Sequence, residues 1–332
     1  MITTYTQHAH ILSILTCYEN TYPWIFSNYI QLFINKDYKH NWGDFYFPIP
    51  YELRPSDTCR YLISQKIDRE VILKKWDSVI DFIIENIDSN YYVHIMMNYF
   101  YVPVSDRYKN VHKSHDMFVY GYDLDRRIFY ISDFFKDGVY SQEEISFSDF
   151  DLAFTKKNLT NNPDYLNGMV YLYKFNKEFE YDFSIEGIIN SINNYLFNEI
   201  PEYWKLYNYH NQINIDFGMQ IYSTLKNYVN NTSDNEGSLD IRPFYLLYEH
   251  KRIATLRMKY LHENQHLGKM NCGFIDNFSL IEAQAKITTN HAIKYNLTNN
   301  KHILERMNLL LTNLEKEESK CLNQFLDDYL NQ

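Results

Sequence analysis

Glycine and proline are scarce, at 9 and 8 residues of 332, which argues against long disordered or linker tracts. Cysteine is scarcer still. Cys17, Cys59, Cys272 and Cys321 are scattered, with no C-x-x-C pair and no disulfide-framework spacing, so the chain reads as one of a reducing compartment. Basic charge is not in excess: 32 Lys and Arg stand against 42 Asp and Glu, a net charge of −10. That balance opposes tracking of phosphates and makes nucleic acid an unexpected partner. No apolar run approaches the length of a membrane span, and the opening MITTYTQHAHILSIL lacks the basic segment of a secretory signal. The expectation is a cytoplasmic protein that does not engage a membrane.

What the chain has instead is aromatic mass. Hydrophobic residues make up 45% and aromatics 17%, with 32 Tyr and 22 Phe, enough for large buried area per residue and a packed interior throughout. Length alone leaves one or two domains open, and periodicity decides between them. Up to about residue 177 strand-like and helix-like stretches mix. A helix is expected over 23–34 (WIFSNYIQLFI, apolar on most sides and therefore central), another over Arg69 to Asn86, and a strand over Tyr91 to Val102. FSDFDLAF reads as a helical turn and Met169 to Phe175 as a strand, while the stretch Trp42 to Pro55, rich in aromatics, Pro and Gly, reads as a loop crossing the surface or lining a cleft. After 177 the pattern is helical: Ser184 to Phe197, Ile213 to Val229, Ile241 to Asn264, Leu280 to Tyr295 and Lys301 to Tyr329. The expected fold class is α+β, with a mixed domain over 1–177 and an all-helical domain over 178–332.

The stretch Ser114 to Phe135, SHDMFVYGYDLDRRIFYISDFF, is the organising feature. Apolar residues alternate on either side of the polar Asp125, Arg126 and Arg127, the pattern of two strands joined by a tight turn. Folding the ends of such a hairpin together lets His115 approach Asp133. A carboxylate on one imidazole nitrogen fixes the tautomer and frees the other nitrogen to accept a proton from a nucleophile. Of the four cysteines only Cys17 follows a Thr in a capping-box pattern, Thr16-Cys17-Tyr18-Glu19. In the first turn of a helix, unpaired amides and the helix dipole would favour its thiolate, supplying part of the roughly 2 kcal/mol needed to titrate it near neutrality. Pro23 then either kinks that helix, the arrangement favoured by the cap pattern, or begins a helix with Cys17 in the loop before it. Singly, each residue has an ordinary structural explanation: a buried small hydrophobe for Cys17, a strand-end histidine, a turn-capping aspartate.

The order of these pieces resembles the papain-like superfamily, and more closely the butirosin biosynthesis protein H family. The matching segments are TCYENTYPWIFSNY, HDMFVYGYD, FYISDFF and the later DIRPFYLLYEHKRIATLRMKYL. The resemblance implies a papain-like N-terminal domain, with an antiparallel sheet and a central helix, and a catalytic triad of Cys17, His115 and Asp133. It further implies an acyltransferase that takes an acyl or peptidyl group from a carrier-protein thioester to an amine through an acyl-cysteine, in antibiotic assembly. No cofactor or metal of the protein's own is expected; the substrate would arrive on the phosphopantetheine of an acyl or peptidyl carrier protein and meet a small amine or diamine. One departure is Ile11, where papain-like hydrolases commonly carry the oxyanion-hole Gln; Gln7, His10 and a backbone amide near Cys17 are the remaining donors. A thioester, with its good leaving group, asks less of that hole than a peptide bond does.

Two other features compete. His262-Glu263-Asn264-Gln265-His266 satisfies H-E-x-x-H, the zinc-peptidase pattern that needs both histidines on one helix face, with Glu282 as the only glutamate in range for a third ligand. Gly268 just beyond it favours a solvated helix end. The basic group Lys251, Arg252, Arg257 and Lys259 is either an ordinary charged face or a docking patch for an acidic carrier protein. Peptidases of the cysteine or zinc type, and a binding protein without catalysis, are therefore the alternatives to the acyltransferase.

Overall fold

The computed structural model describes residues 2–36, 43–45, 54–162, 164–200, 214–235, 237–268, 270 and 273–331. In chain order the first elements are α1 (Thr6–Leu15), α2 (Tyr22–Asn28), β1 (Leu32–Asn35), β2 (Gly43–Phe45), α3 (Pro55–Thr58), β3 (Leu62–Asp68), α4 (Arg69–Lys75) and α5 (Val79–Asp88). There follow β4 (Tyr92–Asn98), β5 (Ser114–Asp123), β6 (Ile128–Lys136), β7 (Val139–Ser146), α6 (Phe147–Thr155) and β8 (Met169–Phe175). The last are α7 (Ile185–Phe197), β9 (Ile215–Phe217), α8 (Ile221–Asn235), α9 (Arg242–Glu263), α10 (Gly273–Thr298) and α11 (Lys301–Leu330). The fold is mixed α+β, with an antiparallel sheet and a helical C-terminal region.

Two compact units result. One holds Thr3–Glu19 and Leu53–Glu180; the other holds Asn20–Glu52 and Tyr181–Gln332. The change of periodicity near 177 lies close to the second crossing, but residues 20–52 go with the helical unit, which periodicity did not reveal.

The first unit is built on a six-stranded antiparallel sheet in the order β3-β8-β4-β5-β6-β7. One face carries Val93, Ile95, Met97, Met117, Val119, Ile131 and Phe135, which pack with Phe82 and Ile83 of α5 and Phe150 and Phe154 of α6 in a single core. These rings and branched chains lose nearly all contact with water, at roughly 1.5–3 kcal/mol each. The helix expected over Arg69 to Asn86 is two helices. Trp76 turns extended after α4, and the Ser78 hydroxyl accepts from the Ile80 amide at 3.0 Å to start α5 afresh.

The central hairpin has a defect that matters. Phe118 pairs with Ser132 and Val119 with Ile131, but Gly121 pairs with Tyr130, so Tyr120 is an extra residue in β5. Below this bulge the register sets Met117 opposite Asp133, and His115 and Asp133 share a face. Continued unbroken from the turn, the upper register would place Phe118 opposite Asp133 and send the carboxylate to the other face. Gly121 suits the bend, since a Cβ there would press on the Tyr130 ring at 3.1 Å.

In the second unit β1 pairs with β2 and with β9, and α7 to α11 supply most of the core. The helix expected over 23–34 ends at Asn28. Leu32 to Asn35 are β-strand, because Phe33 and Ile34 find ladder partners in Phe217 and Asp216. Pro23 lies in the first turn of α2, where its missing amide breaks no helical bond. The stretch expected as helix over Ile213 to Val229 contains β9, so the region after 178 is not all helical; Gly218, at φ +54, turns the chain and the helix begins at Ile221. Most of the Trp42 to Pro55 loop lies outside the described residues.

Candidate functional site

α1 lies against the sheet face opposite the apolar core. His10, in the middle of this helix, stacks on Phe118 with ring centroids 5.0 Å apart and meets His94 edge-on at 4.6 Å. His94 pairs across the ladder with Phe118 and with Tyr171, so the histidines and Asp116 fall on this face by strand alternation. His94 Nε2 is 2.6 Å from Asp116 Oδ2, and His10 Nε2 is 3.8 Å from the same oxygen; all three side chains are buried. Burial keeps both imidazoles neutral by pulling their pKa values down, strongly for His10. Burial alone would raise Asp116, but the His94 hydrogen bond and the surrounding imidazoles hold its carboxyl well below the usual range.

Beside this cluster sits the hairpin pair. His115 Nδ1 is 2.6 Å from Asp133 Oδ2 and 3.4 Å from Asp116 Oδ1, and the Tyr99 hydroxyl donates to Asp133 Oδ2 and lies 3.1 Å from the Asp116 carbonyl. Burial would lower the His115 pKa, but the Asp133 and Asp116 carboxylates together raise it to about 9. Burial pushes Asp133 up against the pull of His115. The resting pair at neutral pH is thus imidazolium and carboxylate. His115 keeps a quarter of its side-chain surface exposed, whereas Asp133, Asp116, His94 and His10 are closed off.

Cys17 does not join them. α1 ends at Leu15, and Cys17 lies in the turn after it, its amide bonded to the Ile14 carbonyl at 3.2 Å and its Sγ 3.3 Å from the Ser13 carbonyl. Thr16 spends its hydroxyl on the Leu12 carbonyl at 2.7 Å, so no capping box forms. The helix expected to begin at Thr16 is one that stops there, so Cys17 meets the carbonyl end of a helix, not its unpaired amides. The position along the sheet is also wrong. Tyr18 stacks on Phe175 at 3.6 Å, beyond Tyr173, the residue paired with Tyr92 at the start of β4, whereas His115 pairs with Met97 near the end of that strand. The first turn of α1 opens with Thr6, Gln7 and His8. Cys59 is buried, with its thiol pushed up to about 12 by that burial, and Cys272 lies outside the described residues.

The competing motifs resolve as well. α9 ends at Glu263, and Gln265 has φ +59, so His262 and His266 do not share a helix face; His266 packs on Phe183 with centroids 4.4 Å apart. The H-E-x-x-H geometry is absent. Of the basic group, Lys251 and Arg257 are buried. Lys251 Nζ is 2.5 Å from Glu318 Oε1, and Arg257 donates to the carbonyls of Phe26 and Tyr29, each at 2.6 Å, closing the end of α2. Only Arg252 and Lys259 face outward, too few for a patch.

Sequence reasoning missed His94, Asp116, Tyr99, Tyr140 and Tyr165, and gave His10 only a minor part. A signal was present in YVHIMMN, where a lone histidine interrupts an apolar strand, and in the adjacent His115-Asp116. Among the described residues two sets of side chains have the grouping a metal ion needs: His10, His94 and Asp116, and His115, Asp116 and Asp133, each with ligand atoms within 4.8 Å of one another.

Fold and site together define an α+β protein whose sheet carries a buried His/Asp centre opening to solvent at His115. No protein-family model matches the chain, and no curated protein matches it.

Proposed function

We propose that the sheet unit is an acyl-transfer domain in which the His115–Asp133 pair moves the proton while an amine attacks a carrier-bound thioester directly. The observation that carries this reading is His115 itself, fixed through Nδ1 on a buried carboxylate at 2.6 Å while a quarter of the side chain reaches solvent. A histidine so anchored has one nitrogen committed to orientation and the other available for chemistry. The substrate class follows the resemblance of HDMFVYGYD and FYISDFF to the butirosin biosynthesis protein H segments.

In this scheme the amine nitrogen adds to the thioester carbonyl, and the carbon–sulfur bond breaks. The resting imidazolium gives its proton to the departing thiolate, and the new amide nitrogen returns one to His115. Thioester plus amine becomes amide plus carrier thiol, with no net proton change on the enzyme. Cys17 plays no part in it, so no acyl-cysteine forms on that residue.

The test uses an acetyl- or benzoyl-loaded carrier protein with a panel of primary amines, with the amide measured by mass spectrometry. His115→Asn should slow amide formation by about 10²–10⁴-fold, while Cys17→Ser keeps the rate. A covalent acyl adduct on Cys17, or full turnover by His115→Asn, would overturn the scheme.

A further inference from the structure

We propose that His10, His94 and Asp116 together bind one divalent transition-metal ion, Zn2+ or an ion of similar ligand preference, beneath α1. The set supplies two imidazole nitrogens and one carboxylate oxygen, a donor combination zinc accepts, with a fourth position left for water or substrate. His10 Nε2 is the decisive atom. It is buried, has no hydrogen-bond partner among the described residues, and faces Asp116 Oδ2 at 3.8 Å. An orphaned polar atom at the centre of a protein is costly and calls for an explanation. An ion between His10, His94 and Asp116 supplies it.

The outer contacts point the same way. His10 Nδ1 is 2.8 Å from the Tyr140 hydroxyl, His94 Nδ1 is 3.2 Å from the Tyr173 hydroxyl, and Asp116 Oδ1 accepts from Tyr165. Each of the three side chains is therefore held by a tyrosine through the atom that would not ligate, leaving both Nε2 atoms and Oδ2 turned inward. That is how metal ligands are oriented by their surroundings. Without the ion, His94 Nε2–H donates to Asp116 Oδ2; with that proton moved to Nδ1, toward Tyr173, both Nε2 lone pairs and the carboxylate converge on one point. Ligands about 2.1 Å from a tetrahedral ion lie about 3.4 Å from one another, so the 2.6 Å His94–Asp116 contact must open and the 3.8 Å His10–Asp116 gap must close, each by less than 1 Å. The neutral imidazoles and ionised carboxyl that burial and hydrogen bonding favour here are the ligating forms.

The inference does not depend on acyl transfer, because its test reads binding. The full chain is stripped with chelator, desalted and titrated with Zn2+ or Co2+. One equivalent should bind, and Co2+ should show the intense visible absorption of a four-coordinate site, erased by added Zn2+. His10→Gln should abolish the stoichiometric site, Tyr140→Phe should weaken it by about 10–100-fold, and His115→Asn should retain it. If His10→Gln fails to fold, the Co2+ spectrum of the unaltered protein and the Tyr140→Phe affinity still decide. No bound equivalent, a six-coordinate Co2+ spectrum, or loss of the ion in His115→Asn instead of His10→Gln would overturn the assignment.

Discussion

Acid should weaken the helical unit through one histidine. His250 is buried, its Nε2 2.7 Å from the Ile30 carbonyl and its Nδ1 3.0 Å from Lys251 Nζ. A lysine ammonium can only donate, so Nδ1 is the acceptor and the ring is the neutral Nε2–H tautomer. A proton on Nδ1 would set two cations face to face in a site that also feels Arg257. The compensating carboxylate, Glu318 of α11, is already engaged by Lys251 at 2.5 Å and by the Tyr222 hydroxyl at 2.6 Å. The other groups on the ring are Tyr195 of α7 and Phe45 of β2, neither anionic at neutral pH. Burial first, then Lys251, hold the His250 pKa well below its ordinary value. The unfolded chain therefore binds the proton and the folded one does not. Stability is complete above the unfolded pKa near 6.5 and falls by about 1.4 kcal/mol per pH unit below it, about 2 kcal/mol by pH 5. Urea unfolding at fixed ionic strength between pH 7.5 and 5, followed by hydrogen exchange in α9 and α11, should show this loss. A His250→Gln variant should lack it while keeping losses due to other buried histidines. Parallel pH curves for the two proteins would refute the reasoning.

Replacing Glu318 by Ala leaves the Lys251 ammonium buried without its carboxylate and should cost about 3–5 kcal/mol in chemical denaturation, much of it recovered in the double variant Lys251→Met, Glu318→Leu. Gly218→Ala should destabilise by more than about 1 kcal/mol, since φ is +54 and the new Cβ would collide with the Tyr195 carbonyl; thermal melting reads it. Deleting Tyr120 should remove the bulge and still leave Met117 opposite Asp133, so His115 and Asp133 stay on one face. The sheet signal in circular dichroism and the downfield His115 Nδ1–H resonance should both persist, and loss of that resonance would count against this register.

The hairpin was legible because alternation and a polar turn are local signals, and Ser114–Asp123 and Ile128–Lys136 lie close to where they were expected. So were the long helices α9 and α11, whose apolar stripes repeat over many turns. The start of the chain misled because a capping box was read into Thr16 to Glu19, a four-residue pattern that a helix end tolerates equally well. WIFSNYIQLFI is apolar on most sides, so periodicity could not separate helix from buried strand, and the ladder partner that decided the matter, Phe217, is far away in sequence. The tyrosine-held His/Asp centre was hidden for a related reason. His10, His94 and Asp116 come from three separate elements, and nothing local in each announces the others. The buried Lys251 and Arg257 defeat composition altogether, since their partners, Glu318 and the α2 carbonyls, lie on other helices.

The division of the chain has a consequence for its synthesis. Thr3–Glu19 and Leu53–Glu180 build one unit, and the 33 residues between them belong to the other. Phe33 finds its ladder partner, Phe217, 184 residues later. At about 5–20 residues per second, a ribosome takes roughly 10–40 s to cover that distance. During this interval the segment bearing Trp24, Ile25, Phe26, Leu32 and Phe33, all buried in the finished protein, has no core to enter. Meanwhile the sheet unit gains its last strand, β8, and can close around α1 while its own chain is still tethered to that waiting segment. The nascent protein thus passes through a stage in which a folded sheet unit carries an internal loop of unsatisfied apolar surface. Chaperone binding or aggregation should concentrate on residues 20–52 until β9 emerges.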